Sequence, residues 1–528
     1  MSEPAGGGWL GRRALLVSGP ILFSRIMAVA REQLMAASLG TGAAAQAFEL
    51  AFRIPNLARD LFAEGALSAA FVPTLTEVAH LRGRDAAFRL ANAVFGLVLL
   101  VVGGIAVAGI LSAGPIISFF PLENADAAPL AVPALRILFP FLPIVSLAAV
   151  AMGLLNANER FVAPALAPAV FNLVSIVAGV LLVRAGTPAD RAFLWWAWAM
   201  LGGGAAQLLV QVPVLWRMGF RPWPRIDLRD ADMRRILRLM APAVVGVAAM
   251  NVNVLVNTLF AAQQDHAIVW LSRAFRLIYL PIGVFGIAIA TLATTRVSQR
   301  AAERDIAGLR ATLEEGLRLV AFLTIPSTLG LIALREGVVR LLYEYGRWHA
   351  ADTQATAAAL LPYALGLYAY AAVKVVAPAF YALNHARAPL RASLTAVVAN
   401  VVFNVSLFPV LGYRGLALGT AIAACLNLSV LLFAFRKLTG GVPLRPLAAH
   451  AFRVLLAAVI CAGVAYVVHE LVAVAIGSGG GRVRVAAVGA AVVAGGVAYA
   501  LAALFLRLRE LGQILSVFRR FSRRGGAG

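Results

Sequence analysis

Ala51-Phe52-Arg53-Ile54-Pro55-Asn56-Leu57-Ala58-Arg59 sets two arginines, a proline and an asparagine into a chain otherwise dominated by runs of Ala, Leu, Val and Phe. Its first three residues return as Ala274-Phe275-Arg276, an offset of 223 from Arg53 to Arg276. A second echo supports the first. Asn156 and Asn172 stand 16 apart, Asn384 and Asn400 are also 16 apart, and Asn156 to Asn384 is an offset of 228. Two matches near one offset indicate an internal duplication. Same-direction repeats imply two six-helix lobes about an axis along the membrane normal, with a substrate site between them near mid-membrane.

The composition fixes the solvent of these helices. Of 528 residues, 61% are hydrophobic and 13% charged, a balance that a water-soluble chain of this length cannot hide in a core. Apolar runs of roughly 20 residues match the length that crosses hydrocarbon as a helix. They place spans near 14–37, 44–79, 87–113, 129–154, 161–184, 190–216, 236–262, 268–296, 312–343, 353–383, 389–410, 414–436, 450–470 and 484–506. The expected architecture is an all-α polytopic membrane protein of about 14 helices. Its N-lobe occupies 1–220 and its C-lobe 221–440, with two extra helices and a basic tail in 441–528.

The net charge of +22 reads as topology rather than as a nucleic-acid footprint. One set of connections holds Arg82, Arg84 and Arg89, then Arg160, the run Arg217 to Arg238, Arg296 to Arg310, Arg387, Arg391, Arg436, Lys437 and the tail from Arg519 to Arg524. The alternate connections, such as Leu39 to Ala45 and Gly477 to Gly481, carry few arginines. Arginine marks the cytoplasmic side, so both termini are expected there. Arg25 and Arg31 interrupt the first apolar stretch too early for a signal peptide, which leaves a retained helix. Cys425 and Cys461 lie far apart without metal-ligand spacing and read as small core residues.

Most spans lack formal charge, yet the first two hold Arg25, Arg31, Glu32, Glu49, Arg53, Arg59, Asp60 and Glu64. An ionisable group near a span's centre costs about 2.5–3.5 kcal/mol on insertion scales, so such a group implies a wet cavity or close partners. Ser24 and Arg31 share one helix face, as do Arg25 and Glu32. Arg276 and Lys374 stand isolated in the eighth and tenth spans. The pairs Arg25–Glu32 and Arg59–Glu64, or snorkelling to an interface, account for single arginines. The excess of cations as a group points instead to a cavity for an anion, with Arg276 facing the arginines of the first two spans. Guanidinium matches phosphate through forked, charge-assisted hydrogen bonds. No Asp-Asp-x-x-Asp pattern, zinc motif or phosphate-cradling glycine loop supports an enzyme acting on polyprenyl phosphates. Asp227, Asp230 and Asp232 read as a solvated charge run. A drug antiporter would want cavity carboxylates and aromatics.

Ser24-Arg25, Arg31-Glu32, the 51–59 stretch and Leu61 to Pro73 closely resemble the N-terminal signature of the MurJ (MviN) family. Asn156 to Asn172, Pro281 to Thr291, Arg340 to Gly346 and Ala377 to Tyr381 agree in order, so the likeness covers nearly the whole chain. The resemblance implies a lipid II flippase of the multidrug/oligosaccharidyl-lipid/polysaccharide exporter superfamily, a monomeric transporter in the bacterial cytoplasmic membrane. It implies no cofactor and no nucleic-acid partner, with coupling to membrane potential or a monovalent cation open. A flippase for another polyprenyl-pyrophosphate glycan is separated only by the motif match. By that match the substrate-binding arginines fall on Arg25, Arg31, Arg59 and Arg276, with Ser24, Glu32, Arg53, Asn56 and Glu64 in support. The family's last two helices hold lipid, which fits spans 13 and 14 lying outside the repeat.

The chain departs from the family at Glu32 and Gln46, each in place of Asp, at Asp60 in place of a second Arg, and at Phe275 in place of Asp. Two counter-charges are thus expected to be missing. The family's sodium site matches Asn400, Asn404 and Thr420, with Asn251 completing it. Without a carboxylate, these read as asparagines bonding between helices.

Overall fold

The structure, a computed structural model, describes residues 7–60, 66–227, 229–283, 287–476 and 480–512. Side chains are described for these residues except 7–22, 66–69, 242–243, 245–246, 249–250, 287–288, 291–292 and 476. Glu64, the Leu61 to Ala69 part of the motif and the arginines of the tail lie outside the described side chains.

Among the described residues every regular element is a helix, because in hydrocarbon a spanning segment must bond its own N–H and C=O groups. The first compact unit comprises residues up to Val269 together with Tyr343–His349. It contains α1 (Gly7–Leu39), α2 (Ala43–Arg59), α3 (Ala66–Leu111), α4 (Ala113–Ser118), α5 (Ala127–Leu138), α6 (Phe141–Ala157), α7 (Val162–Arg184), α8 (Ala189–Leu209), α9 (Val212–Arg217) and α10 (Ala231–Ala262). The second unit, Trp270–Leu342 and Ala350 onward, holds most of α11 (Ala267–Pro281) and then α12 (Ile287–Ala302), α13 (Ile306–Ala333) and α14 (Arg335–Tyr343). Beyond them come α15 (Ala350–Leu365), α16 (Leu367–Ala382), α17 (Arg387–Leu411), α18 (Tyr413–Thr439), α19 (Leu444–Ile476) and α20 (Gly481–Phe505). Within the first unit α10 packs against α3.

Nine of the described helices are long and apolar enough to cross a membrane, and the bent pair α15–α16, broken by 41°, makes ten. The sequence count of about 14 is not reached on this measure. The segments near 14–37, 44–79, 236–262 and 268–296 are largely helical but stay outside the set, save for the end of the second, which belongs to Ala70–Leu111. They are interrupted by charges, by Pro55 and Pro281, or by residues outside the described ones.

In the first unit α1 packs on α7, and Gly179 is the residue that permits it. A Cβ there would stand 2.9 Å from the Leu34 Cβ and 2.7 Å from the Trp196 ring. Trp196 is fully buried and donates its indole N–H to Ser38 Oγ at 2.8 Å, so α8 is locked to the same end of α1. The short segment Tyr343–His349 closes onto that end. Gly346 adopts φ +58° with Ala37 O 2.4 Å from its notional Cβ, and Arg347 donates to Ser38 O at 2.6 Å and Thr187 O at 2.8 Å. In the second unit, α17 meets α18 at Gly415 and Gly419, where added methyls would strike Leu407 and Asn404. Small residues at helix contacts are the usual route to close packing when lipid tails remove the hydrophobic drive.

The Asp227–Asp232 run has structural duties that the solvated reading did not foresee. Asp227 accepts from the backbone N–H of Arg229 and Asp230, Asp230 caps α10 through Asp232 N and Met233 N, and Asp232 pairs with Arg82. Cys461 is buried as expected, whereas Cys425 is exposed on the outside of α18 rather than in a core.

Candidate anion-binding site

Arg31 is the most completely held of the predicted cations. Its Nη1 donates to Asn172 Oδ1 at 3.0 Å, its Nη2 to Glu32 Oε1 at 2.7 Å, and its guanidinium lies 5.3 Å from the centre of the Phe171 ring. The two charged side chains are 13% and 7% exposed, so the pair is built into the helix contact rather than solvated. Asn172 also donates to the carbonyl and hydroxyl oxygens of buried Ser24, at 3.0 and 3.3 Å. One asparagine on α7 therefore fixes two of the predicted residues on α1. The sequence named the 16-residue echo at Asn172 without assigning it to the site. A lone amide in an apolar span was the available signal.

The first half of α2 is buried all round, from Ala44 to Ala51 and with Glu49 among them, and Pro55 interrupts the helix from within. The half-buried second half carries Arg53, Asn56 and Arg59. Arg53 donates to Thr258 Oγ1 of α10 at 2.8 Å, Asn251 of α10 donates to Leu57 O at 2.7 Å, and Asn56 bonds back to Phe52 O at 3.0 Å. Asn56 Oδ1 remains buried with no donor among the described residues. Arg59 pairs with its neighbour Asp60, Nη2 to Oδ1 at 2.8 Å. Glu32 thus takes Arg31 rather than Arg25 among the described residues, and the suggested Arg59–Glu64 pair lies outside them. Arg25 is half-buried, and no partner for it stands among the described residues. Glu64 lies outside them.

Gln46, which replaces a family carboxylate, is buried and donates to Asp265 Oδ1, an oxygen that also accepts from Asn124 at 3.3 Å and from His266 N at 2.9 Å. A carboxylate from the α10–α11 connection thus stands beside Gln46 in the first unit. Sequence reading passed over Asp265 because it lies in a loop.

In the second unit Arg276 is half-buried on α11. It is not the sole cation of its span, because Arg273, one turn earlier, is 1% exposed. Three-residue spacing puts both on one face, a signal in the sequence that went unused. Phe275, where the family carries Asp, packs into an aromatic group with Tyr279 at 5.1 Å, Tyr363 at 5.2 Å and Tyr370 at 6.3 Å between ring centres. Lys374 stands 5.8 Å from the centre of the Tyr279 ring.

Three of the sodium candidates bond to one another. Asn400 donates to Thr420 Oγ1 at 3.2 Å, and Asn404 donates to Asn400 Oδ1 at 3.1 Å. Thr420 in turn donates to Leu416 O at 2.7 Å. This is a neutral chain tying α17 to α18, without a carboxylate, while Asn251 serves the α2 contact in the first unit. No group of three His, Cys, Asp or Glu side chains able to hold a metal stands among the described residues.

Residues 35–479 match the model of the family described as "Lipid II flippase MurJ". The chain is 33% identical over 434 residues to the lipid II flippase MurJ of Burkholderia cenocepacia, covering 81% of this chain and 84% of that one. This chain belongs to the MurJ family. It is also 33% identical to the probable lipid II flippase MurJ of Rhizobium tropici, with 79% of each chain covered. In fold it is similar to a lipid II flippase MurJ structure in an inward closed conformation, with a TM-score of 0.76 and 22% identity over 93% of this chain and 99% of that one. An inward-facing MATE family multidrug transporter aligns at a TM-score of 0.69 and 16% identity, covering 81% and 98%. The MurJ relatives and the apolar helices make this a multi-pass protein of the bacterial inner membrane.

Proposed function

We propose that the chain is a lipid II flippase, carrying the undecaprenyl-pyrophosphate-linked peptidoglycan precursor from the inner to the outer leaflet by alternating access. The observation that carries this reading, beside family membership, is Arg31, an arginine within a membrane helix held in fixed geometry by Asn172, Glu32 and Phe171. A buried charge is tolerated when it is paired and useful, and a pre-oriented guanidinium loses little freedom on meeting phosphate. Arg25, Arg31, Arg59 and Arg276 act as the pyrophosphate ligands. Ser24, Glu32, Arg53, Asn56 and Glu64 hold or complement them.

No covalent step is required. The pyrophosphate exchanges water for guanidinium contacts in a low-dielectric site, and the polyprenyl tail stays in lipid throughout. Both termini lie on the arginine-rich, cytoplasmic side, and the chain works as a monomer without a cofactor. The membrane potential supplies about 2.3 kcal/mol per elementary charge per 100 mV to any arginine that moves through the field. That magnitude suffices to bias the return of the empty transporter without an ion site. Likeness to MATE transporters extends to the fold alone, and the arginines of α1 and α2 are unsuited to organic cations.

Complementation of a flippase-depleted strain tests the proposal. Arg31→Ala and Arg276→Ala should each fail to restore growth while the protein reaches the membrane at normal level. Normal growth of either variant contradicts its assigned role.

A further inference from the structure

The middle of α13, the first turns of α19 and the segment after α20 line an open pocket of about 240 Å³ that includes Arg318, His450, Arg453, Arg507, Arg509 and Glu510. It belongs entirely to the second unit and uses none of the residues assigned to lipid II. Arg318 is paired with Glu314 at 2.6 Å, its carbonyl oxygen faces His450 Nε2 at 3.3 Å, and His450 Nδ1 faces Glu510 Oε1 at 3.7 Å. That leaves Arg453, Arg507 and Arg509, all exposed, against one buried carboxylate. Arg318 Nε is buried without an acceptor among the described residues.

A second observation is independent of charge. Arg507 has φ +52°, the left-handed conformation that normally falls to glycine at this point after a helix. It closes α20 in a Schellman arrangement, with Arg507 N to Leu504 O at 3.0 Å and Leu508 N to Ala503 O at 2.9 Å. A non-glycine residue in this conformation persists where its surroundings hold it in place. Here Leu508 is buried in the core with Val454, Phe322 and Tyr499, so the strained turn sets Arg507 and Arg509 beside the pocket on a fixed floor.

The outer rim is apolar. Phe452 next to Arg453, and Leu504 and Phe505 just before Arg507, are exposed, Phe505 by 88%. The pocket therefore lies where a lipid-facing surface gives way to the arginine-rich ends of the helices, the depth at which phospholipid headgroups sit.

We propose that this pocket binds the phosphate of an anionic phospholipid headgroup, with the acyl chains lying along Phe452 and Phe505. The guanidinium groups supply charge-assisted bonds to the phosphodiester, and anchoring there holds α19 and α20 against α13.

The test uses the purified full chain in phosphatidylcholine nanodiscs, with melting temperature followed as phosphatidylglycerol is added. The wild type should gain stability saturably with phosphatidylglycerol. Arg507→Gly relieves the strained turn and keeps the fold, yet it should move the titration midpoint about tenfold or more, as should Arg453→Gln with Arg509→Gln. Arg31→Ala should leave the midpoint in place. An unchanged midpoint in the pocket variants, or a shifted one in Arg31→Ala, overturns the assignment. Stabilisation of equal size by inorganic phosphate, or by additional phosphatidylcholine, overturns it equally.

Discussion

Two polar networks stand between helices of this chain, and they differ in one respect. On α17 and α18, Asn400, Asn404 and Thr420 bond to one another and to a backbone carbonyl, and the chain of bonds is neutral. On α1 and α7, Ser24, Arg31, Glu32 and Asn172 form a network of similar size around a guanidinium. Neutral amides answer each other's hydrogen-bonding needs and bind helices together. A cation in the same setting adds a desolvation cost that helix packing alone does not require. The difference is one of charge rather than of polarity, and it is why the proposed substrate site is placed at the first network and not at the second.

The comparison breaks if the two networks respond alike to mutation. The largest expected effect is Arg31→Ala, with complete loss of complementation at unchanged membrane level. Arg59→Ala should weaken lipid II binding by about 10- to 100-fold, the scale of a lost charge-assisted hydrogen bond. Titration of the purified variant with lipid II measures it, and an affinity equal to wild type would remove Arg59 from the site. Asn172→Leu sharpens the contrast, because it takes from Arg31 and Ser24 their shared partner. It should lower stability by about 1–3 kcal/mol and reduce flipping in reconstituted vesicles, whereas full flipping would make Asn172 purely structural. The smallest effect belongs to Asn400→Leu, about 1 kcal/mol or less in unfolding experiments, with flipping retained. Loss of transport in that variant would restore a role in ion coupling.

Much of this was legible in the residues. Helical spans follow from the length of apolar runs, and the arginines of α1 and α2 announce themselves by contrast with their surroundings. Partners were less legible. A guanidinium on six bonds of reach chooses Glu32 or Asp60 by local side-chain geometry that periodicity does not encode. Asp265 sets a carboxylate beside Gln46, and it does so from a loop far away in sequence. Arg273 was hidden by attention to Arg276, although three-residue spacing put both on one face. The span count falls short on the segments near 14–37, 44–79, 236–262 and 268–296, which carry Arg31, Arg59, Asn251 and Arg276. Helices that hold the site residues are the ones that least resemble ordinary membrane spans.

Native mass spectrometry of the purified protein, with lipid II and the neutral phospholipid phosphatidylcholine in competition, tests the central claim most directly. Lipid II should displace phosphatidylcholine from the wild type, and the preference should vanish in Arg31→Ala and Arg59→Ala. Equal binding of the two lipids to the wild type, or a preference that survives both substitutions, would contradict recognition of the pyrophosphate by these arginines.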